Sequence, residues 1–247
     1  MNLDFVEALH LTQQLCVLLK NQPVEHTDVV IAPPFVDLRT VSSILDAERL
    51  AVALGAQHVN PHDNGAHTGE VSVSMLQRLG VEWVIVGHSE RRTNYAMSDE
   101  IVASTLRAVV RAGLHAVLCV GESLSLREAG EHQSFVAAQL RSALGGLEEK
   151  FHGLVAVAYE PLWAIGTGVN ASPEQVSEMS GLVREVLKEL VSGSPSVLYG
   201  GSVNAENAAS LVRESDLDGF LVGGASLKAE SFCAILHACD DCYALKR

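Results

Sequence analysis

The sequence predicts an α/β fold built on a parallel sheet, and three observations support this. Nearly half of the 247 residues are apolar (48%), which is enough for a large core. Short apolar runs alternate strictly with longer segments of helical periodicity. No linker, block of charge or low-complexity segment divides the chain, which indicates one domain over residues 1–247. This alternation is typical of a (β/α)8 barrel or of a doubly wound sheet.

Seven runs predict β-strands because they are apolar on both faces, as is typical of parallel strands buried between other layers. The runs are residues 29–34, 52–57, 83–88, 115–121, 155–160, 196–202 and 219–225. Each run ends in turn-forming or polar residues. The sequence therefore predicts at least seven strands.

Eight segments predict helices because their apolar residues recur at helical spacing. They are residues 1–20, 36–48, 71–79, 98–112, 127–150, 173–192, 204–213 and 229–238. Acidic Asp4 and Glu7 favour the start of the first helix, and Ser172 and Pro173 are typical N-cap and first-turn residues. Every helix of a βα repeat follows a strand, so eight helices and seven strands predict a further strand ahead of Met1.

Charge and cysteine content exclude several classes of function. The formal net charge of -13 argues against a nucleic-acid or anionic-membrane surface, because both require a basic face. No apolar run reaches the roughly 20 residues of a membrane span, and the first residues do not resemble a signal peptide. Five scattered cysteines are typical of a reducing compartment, so we expect a cytoplasmic protein.

Two further motifs raise the question of a metal site. Cys239 and Cys242 form a single CxxC pair, but no second pair or nearby histidines complete a site, which favours a solvated tail. His58, His62 and His67 fall in a turn-rich segment and lack the spacing typical of zinc ligands. We therefore expect no metal site, and interpret the histidine segment as a protruding contact loop.

One predicted strand end carries a candidate general base. In α/β barrels the active site lies at the carboxyl ends of the strands, and "VAVAYEPLWAIGTG" ends its strand at Glu160. Partial desolvation of a carboxylate there favours a proton-accepting role. The apolar segment that follows, with Gly166 and Gly168, has the composition of a lid that excludes water. The alternative is a surface loop with a structural salt bridge.

A histidine ends another predicted strand. In "WVIVGHSERR", His88 precedes a predicted helical turn over residues 89–92. The positive end of a helix dipole disfavours an imidazolium, whereas a neutral imidazole can still donate a hydrogen bond to a substrate oxygen. A buried structural histidine is the alternative.

The last two predicted strands end in glycine pairs, in "VLYGGSV" and "FLVGGASL". Adjacent glycines expose backbone N–H groups, and barrels commonly hold phosphate in the loops after their last two strands. Tight turns explain either pair alone, but two successive pairs favour phosphate binding. No lysine-containing phosphate loop is present, which argues against a nucleoside triphosphatase.

The motifs "VGHSERR", "AYEPLWAIGTG", "YGGSV" and "LVGGASL" together, in this order along the whole chain, resemble the triosephosphate isomerase family. The resemblance implies a TIM barrel that interconverts dihydroxyacetone phosphate and D-glyceraldehyde 3-phosphate, in glycolysis and gluconeogenesis, without a metal or organic cofactor. It implies that Glu160 is the base that moves a proton between C1 and C2. It also implies that His88 is a neutral electrophile that polarises the carbonyl group.

The same resemblance implies a phosphate site and a partner. Gly166, Ser202, Gly223 and Gly224 are similar to the family's phosphate-binding residues. The loop around Thr68 is similar to the loop that inserts into a second subunit, which implies a homodimer.

The chain departs from the family pattern at its start. The family's first strand ends in a stretch like Asn-Trp-Lys-Met-Asn, whose asparagine and lysine reach the substrate, and Met1-Asn2 resembles its last two residues. We therefore expect that the natural chain starts upstream with this strand, and that the 247-residue chain folds poorly or is nearly inactive. Two alternatives stay open: a catalytically crippled or noncatalytic homologue, and another phosphate-binding barrel isomerase.

Overall fold

Seven parallel strands form one sheet, in which each strand pairs with the next strand along the chain. The strands are β1 (Val29–Ile31), β2 (Val52–Ala56), β3 (Trp83–Val86), β4 (His115–Val120), β5 (Val155–Tyr159), β6 (Val197–Tyr199) and β7 (Gly219–Phe220). A computed structural model of the protein describes residues 1–166 and 170–245. The seven predicted strands are confirmed. The unbroken order β1 to β7 is that of a TIM barrel, whereas a doubly wound sheet reverses its order.

The described residues contain ten α-helices, which connect the strands and cover the sheet. They are α1 (Phe5–Asn21), α2 (Leu38–Glu48), α3 (Val73–Arg78), α4 (Ser89–Tyr95), α5 (Asp99–Arg111), α6 (Leu124–Glu128), α7 (His132–Leu144), α8 (Pro173–Leu190), α9 (Ala208–Glu214) and α10 (Ala229–Ala244). No helix within these described parts of the chain has the length and apolar content needed to cross a bilayer.

The start of α1 follows the sequence signals closely. Oδ1 of Asp4 accepts hydrogen bonds from the backbone N–H groups of Val6 and Glu7, each at 2.9 Å. The Glu7 carboxylate in turn accepts from the Asp4 N–H group at 2.9 Å, which completes a capping box. In the described chain β1 and β7 are the two edges of the sheet, and the further strand expected ahead of Met1 stays a prediction.

One helix prediction and the prediction of a solvated C-terminal tail were wrong. The single helix predicted over residues 127–150 is interrupted: α6 ends before Gly130, whose φ of +73° is left-handed, and α7 follows. The predicted solvated tail is instead the second half of α10, which packs against α1 and α9. Cys239 and Cys242 are therefore buried, and burial raises the pKa of the Cys239 thiol to about 12.

Asp37 is a buried carboxylate at the start of α2. It is completely inaccessible to solvent, and neither side-chain oxygen has a hydrogen-bond partner in the described residues. A buried carboxyl group without hydrogen-bond partners destabilises the fold, and an amide carries no charge to desolvate. Asp37→Asn is therefore expected to raise the free energy of unfolding by about 1–3 kcal/mol in urea titrations at neutral pH. Asp46→Asn, an exposed change on the same helix, serves as the control, and a destabilised Asp37→Asn variant would contradict this account.

Candidate active site

Glu160 lies at the carboxyl end of β5 and is almost completely buried, with 1% of its surface exposed. Its backbone N–H group continues the sheet by donating to the carbonyl oxygen of Val120 at 2.8 Å, and Pro161 then ends the strand. Its Oε2 accepts a hydrogen bond from the backbone N–H of Ser89 at 2.9 Å, and its Oε1 lies 3.0 Å from Nε2 of His88. The structure thus brings the two predicted catalytic residues together.

Two glycines make room for Glu160. A Cβ atom on Gly121 would lie 1.8 Å from the carbonyl oxygen of Glu160, and one on Gly200 would lie 2.9 Å from its Cγ. Either contact is too short for a real side chain, so both positions require glycine. The neighbouring Gly201 is equally constrained, because its Cβ would lie 2.1 Å from the hydroxyl of Tyr199. The glycine pair after β6 therefore also serves close packing, which the sequence prediction missed.

His88 is the N-cap of α4, at the carboxyl end of β3. Its Nδ1 accepts a hydrogen bond from the backbone N–H of Glu90 at 3.3 Å, which assigns the proton of the neutral ring to Nε2. Nε2 lies 3.0 Å from Oε1 of Glu160, which has no hydrogen-bond partner in the described residues, and the His88 side chain is 27% exposed. This tautomer has its donor on the side of the ring next to the candidate base.

The helix dipole alone predicts a lowered pKa for His88, but the surroundings of this side chain raise its pKa. Burial of the imidazole lowers its pKa, but the contact with Glu160 and the charges of Glu160 and Glu90 together raise the pKa above the usual 6.5. Because the folded-state value exceeds the unfolded one, this interaction stabilises the fold below about pH 6.5. The contribution is lost as the pH rises through the folded-state pKa.

Glu160→Gln is expected to reverse this shift. Removing the carboxylate leaves burial as the largest influence on His88, so its pKa should fall below 6.5. An NMR titration of the His88 ring in both proteins measures the change, with exposed His10 on α1 as the internal reference. An unchanged His88 pKa in the variant would show that Glu160 does not control this proton.

Glu122 is a second buried carboxylate near the site, and the sequence prediction missed it. It is fully buried, and its Oε1 accepts from the Tyr159 hydroxyl at 3.0 Å, from Nε1 of Trp163 at 2.9 Å and from Arg127 at 3.4 Å. Trp163 lies in the 3₁₀ turn at the start of the predicted lid. Glu122 comes two residues after β4, which is the same strand-end signal that identified Glu160.

The four predicted phosphate-binding residues lie in loops at the carboxyl ends of strands. Ser202 Oγ donates to the carbonyl oxygen of Ala164 at 2.8 Å, which connects the loop after β6 to the predicted lid. Gly223 and Gly224 follow β7, and no described residue accepts a hydrogen bond from their N–H groups. Gly166 has a left-handed φ of +66°. Gly168, the second predicted lid glycine, lies outside the described residues.

The histidine segment forms an exposed loop over residues 62–70. It is closed at its base by a hydrogen bond from the N–H group of Asn60 to the carbonyl oxygen of Val71 at 2.9 Å, and the rings of His62 and His67 stack at 4.5 Å. His58 lies apart, against Arg91, and burial followed by the Arg91 charge lowers its pKa to about 4. In residues 1–166 and 170–245, no group of three or more His, Cys, Asp or Glu side chains is placed to hold a metal ion.

Comparison with known proteins gives a consistent result. The family model for triosephosphate isomerase matches residues 1–239. Triosephosphate isomerases of Rhodococcus jostii, Nocardia farcinica and Mycobacterium tuberculosis are each 44% identical to this chain over 239 residues, covering 95% of this chain and 92% of each relative. The fold, the order of the motifs and these similarities lead to one conclusion. The chain belongs to the triosephosphate isomerase family.

Proposed function

We propose that this protein interconverts dihydroxyacetone phosphate and D-glyceraldehyde 3-phosphate on a single (β/α)8 barrel domain. The observation that carries the proposal is the pair at the carboxyl ends of β3 and β5, where Glu160 Oε1 lies 3.0 Å from His88 Nε2. A buried carboxylate beside an imidazole N–H group provides a base and a hydrogen-bond donor for one substrate. The names of the relatives support the same reaction.

The proposed proton transfers use only these two side chains. Glu160 takes a proton from C1 of dihydroxyacetone phosphate while His88 Nε2–H donates a hydrogen bond to the oxygen on C2. The resulting enediolate carries its negative charge on oxygen, next to the His88 donor. His88 gives its Nε2 proton to the C2 oxygen and takes the hydroxyl proton from the C1 oxygen. Glu160 returns its proton to C2, so that C1 becomes the aldehyde and C2 carries the hydroxyl group. These transfers require a base and an acid, which the Glu160 carboxylate and the His88 imidazole supply without a cofactor.

The phosphate group of the substrate is proposed to lie against Gly166, Ser202, Gly223 and Gly224. Support comes from the free N–H groups of Gly223 and Gly224, which are available to an anion. The link between Ser202 and Ala164 ties this loop to the segment predicted to close over the substrate. Closing that segment would exclude water, which protects the enediolate from losing phosphate.

The direct test is an isomerase assay with both triose phosphates, with other sugar phosphates as competitors. We expect turnover of dihydroxyacetone phosphate, and weaker inhibition by larger phosphate esters. This proposal replaces the near inactivity expected from the sequence alone, because Glu160 and His88 lie together in the structure. A folded protein that binds phosphate esters without turnover would support the noncatalytic alternative. Turnover of a different sugar phosphate would support another barrel isomerase. The family membership favours the first outcome over both alternatives.

We also propose that the protein works in the cytoplasm. All five cysteines are free and buried, although Cys239 and Cys242 lie one helical turn apart on α10. Free thiols persist in a reducing compartment and are oxidised elsewhere.

A homodimer is the proposed assembly, with the loop around Thr68 in the interface. Residues 62–70 are exposed along their whole length, although the base of the loop is well tied to the barrel. An ordered loop that projects in this way is typical of a docking element.

Light scattering on the purified protein is expected to give a dimer. Thr68→Arg should convert it to a monomer, because a bulky charge would be buried at the interface. Glu185→Arg, at an exposed position on α8, is the matched control and should remain dimeric. A monomeric wild-type protein at micromolar concentration would rule out this assembly.

A further inference from the structure

A cavity of about 330 Å³ lies behind Glu160, between the carboxyl ends of β3 to β5 and helices α4 to α7. We call it the helix-side cavity. The residues that matter for its chemistry are Arg92, Met97, Leu126, Phe135, Gln139 and Glu160. None of the four proposed phosphate-binding residues contributes to its walls, whereas Glu160 and Ser89 do, so it adjoins the active site on the side away from the phosphate-binding loops.

The charged groups of the cavity disfavour an anionic occupant. Among the described residues that line the cavity, Arg92 is the only lysine or arginine. Each of its three guanidinium nitrogens donates a hydrogen bond to an acceptor. Arg92 donates to Asp99 Oδ1 at 2.5 Å, to the Gly87 carbonyl oxygen at 2.8 Å and to the Cys119 carbonyl oxygen at 3.4 Å. The carboxylates of Asp99 and Glu160 add negative charge to the same walls. Three of the five guanidinium N–H groups of Arg92 are engaged and Asp99 balances its charge, so the negative charge of these walls disfavours a phosphate ester.

Gln139 provides the polar group that distinguishes this cavity from a packing defect. Its side chain is 4% exposed, and its Oε1 accepts from the N–H group of Gly121 at 2.9 Å. No described residue accepts a hydrogen bond from its amide NH₂ group. The remaining lining is largely apolar, from Met97, Leu126 and Phe135. Walls with a mostly apolar surface, the free NH₂ group of Gln139 and a few hydroxyl groups (Thr93, Ser98, Ser123) are typical of a small-molecule site of this size.

We propose that the helix-side cavity binds a small, uncharged aromatic molecule carrying a carbonyl or amide group. The aromatic ring fits the apolar walls, and the carbonyl oxygen accepts from the Gln139 amide. A neutral ligand avoids repulsion by the two carboxylates and does not require the charge of Arg92, which Asp99 already balances.

Occupancy of the cavity is coupled to Glu160. Gln139 binds the N–H group of Gly121, and Gly121 packs directly against the backbone of Glu160. An occupant would therefore hold Glu160 in its contact with Ser89, where the carboxylate is 1% exposed and turned away from solvent. This coupling rests on the proposed function, since it affects turnover only if Glu160 is the base. The binding of a ligand in the cavity does not depend on the proposed function.

Benzamide is a suitable probe because it is neutral, aromatic and carries an amide. NMR titration should show saturable shifts of the Gly121 N–H and the Gln139 NH₂ signals, with a dissociation constant in about the millimolar range expected for so few atoms. The shifts should persist when glycerol 3-phosphate saturates the active site. At saturating benzamide, kcat should fall about fivefold or more while KM changes little.

Leu126→Trp fills the cavity and should abolish the shifts, whereas Leu124→Trp, on the exposed side of the same helix, should not. Absence of saturable shifts in the wild-type protein would overturn the site, as would displacement of benzamide by glycerol 3-phosphate. Binding with an unchanged kcat would overturn the coupling to Glu160. An inactive wild-type enzyme that still binds benzamide would contradict the proposed function and leave the site supported.

Discussion

Glu160→Gln is expected to lower kcat by about 10²- to 10⁴-fold, the contribution typical of a positioned general base. Glutamine is nearly the same size as glutamate, and it can still accept a hydrogen bond from the N–H of Ser89. It cannot accept a proton from carbon. Coupled isomerase kinetics measure kcat, and calorimetric binding of glycerol 3-phosphate measures the phosphate site, which should be retained.

Glu185→Gln provides the control for this change. Glu185 is an exposed carboxylate on α8 and should give wild-type kinetics when neutralised. If Glu160→Gln keeps most of its kcat, Glu160 is not the base. If the variant loses both turnover and its melting transition, the loss of turnover reflects unfolding. A variant that loses turnover but still binds glycerol 3-phosphate is folded, and its loss is then catalytic.

Gly224→Val is expected to raise KM about 10- to 100-fold with little effect on stability, since hydrogen bonds to a charged group contribute about 1.5–3 kcal/mol each. A Cβ atom at Gly224 meets no atom within 4 Å, so the unliganded fold accommodates a side chain. The valine would instead occupy space next to the free N–H groups of Gly223 and Gly224, where the phosphate is proposed to bind.

Gly153→Val is the matched control for the phosphate site. A Cβ atom at Gly153 would also meet no atom within 4 Å, but this residue lies just before the amino end of β5, away from the strand ends that carry the site. Initial-rate kinetics and thermal melts on both variants give the comparison. Equal KM values for the two variants would show that Gly224 does not contact the phosphate.

The strands were predictable because a strand that is buried on both faces consists of consecutive apolar residues, which can be seen directly in the sequence. Each apolar run needed only its own residues to be recognised, and β4 and β5 are buried along nearly their whole length. Glu160 was predictable for a related reason, since a carboxylate directly after such a run has few structural explanations. Glu122 follows β4 with the same signal, and sequence analysis alone had the means to identify it.

Properties that depend on contacts between distant segments were not predictable from local patterns. The raised pKa of His88 depends on Glu160, 72 residues away, whereas the sequence shows only the local helix start. The close packing of Gly200 against Glu160 is likewise a tertiary contact. The burial of Cys239 depends on how α10 packs against other helices, and a polar stretch such as "CDDC" conceals it.

Deuterium incorporation tests the central claim, proton transfer by Glu160, most directly. Dihydroxyacetone phosphate is incubated with the protein in D₂O, and the C1 protons are followed by NMR in the wild-type protein and in Glu160→Gln. We predict that the wild-type protein exchanges a C1 proton for deuterium while producing glyceraldehyde 3-phosphate. The variant, still folded and still binding glycerol 3-phosphate, should show neither process above the rate in controls without protein. Undiminished C1 exchange in Glu160→Gln would contradict the account.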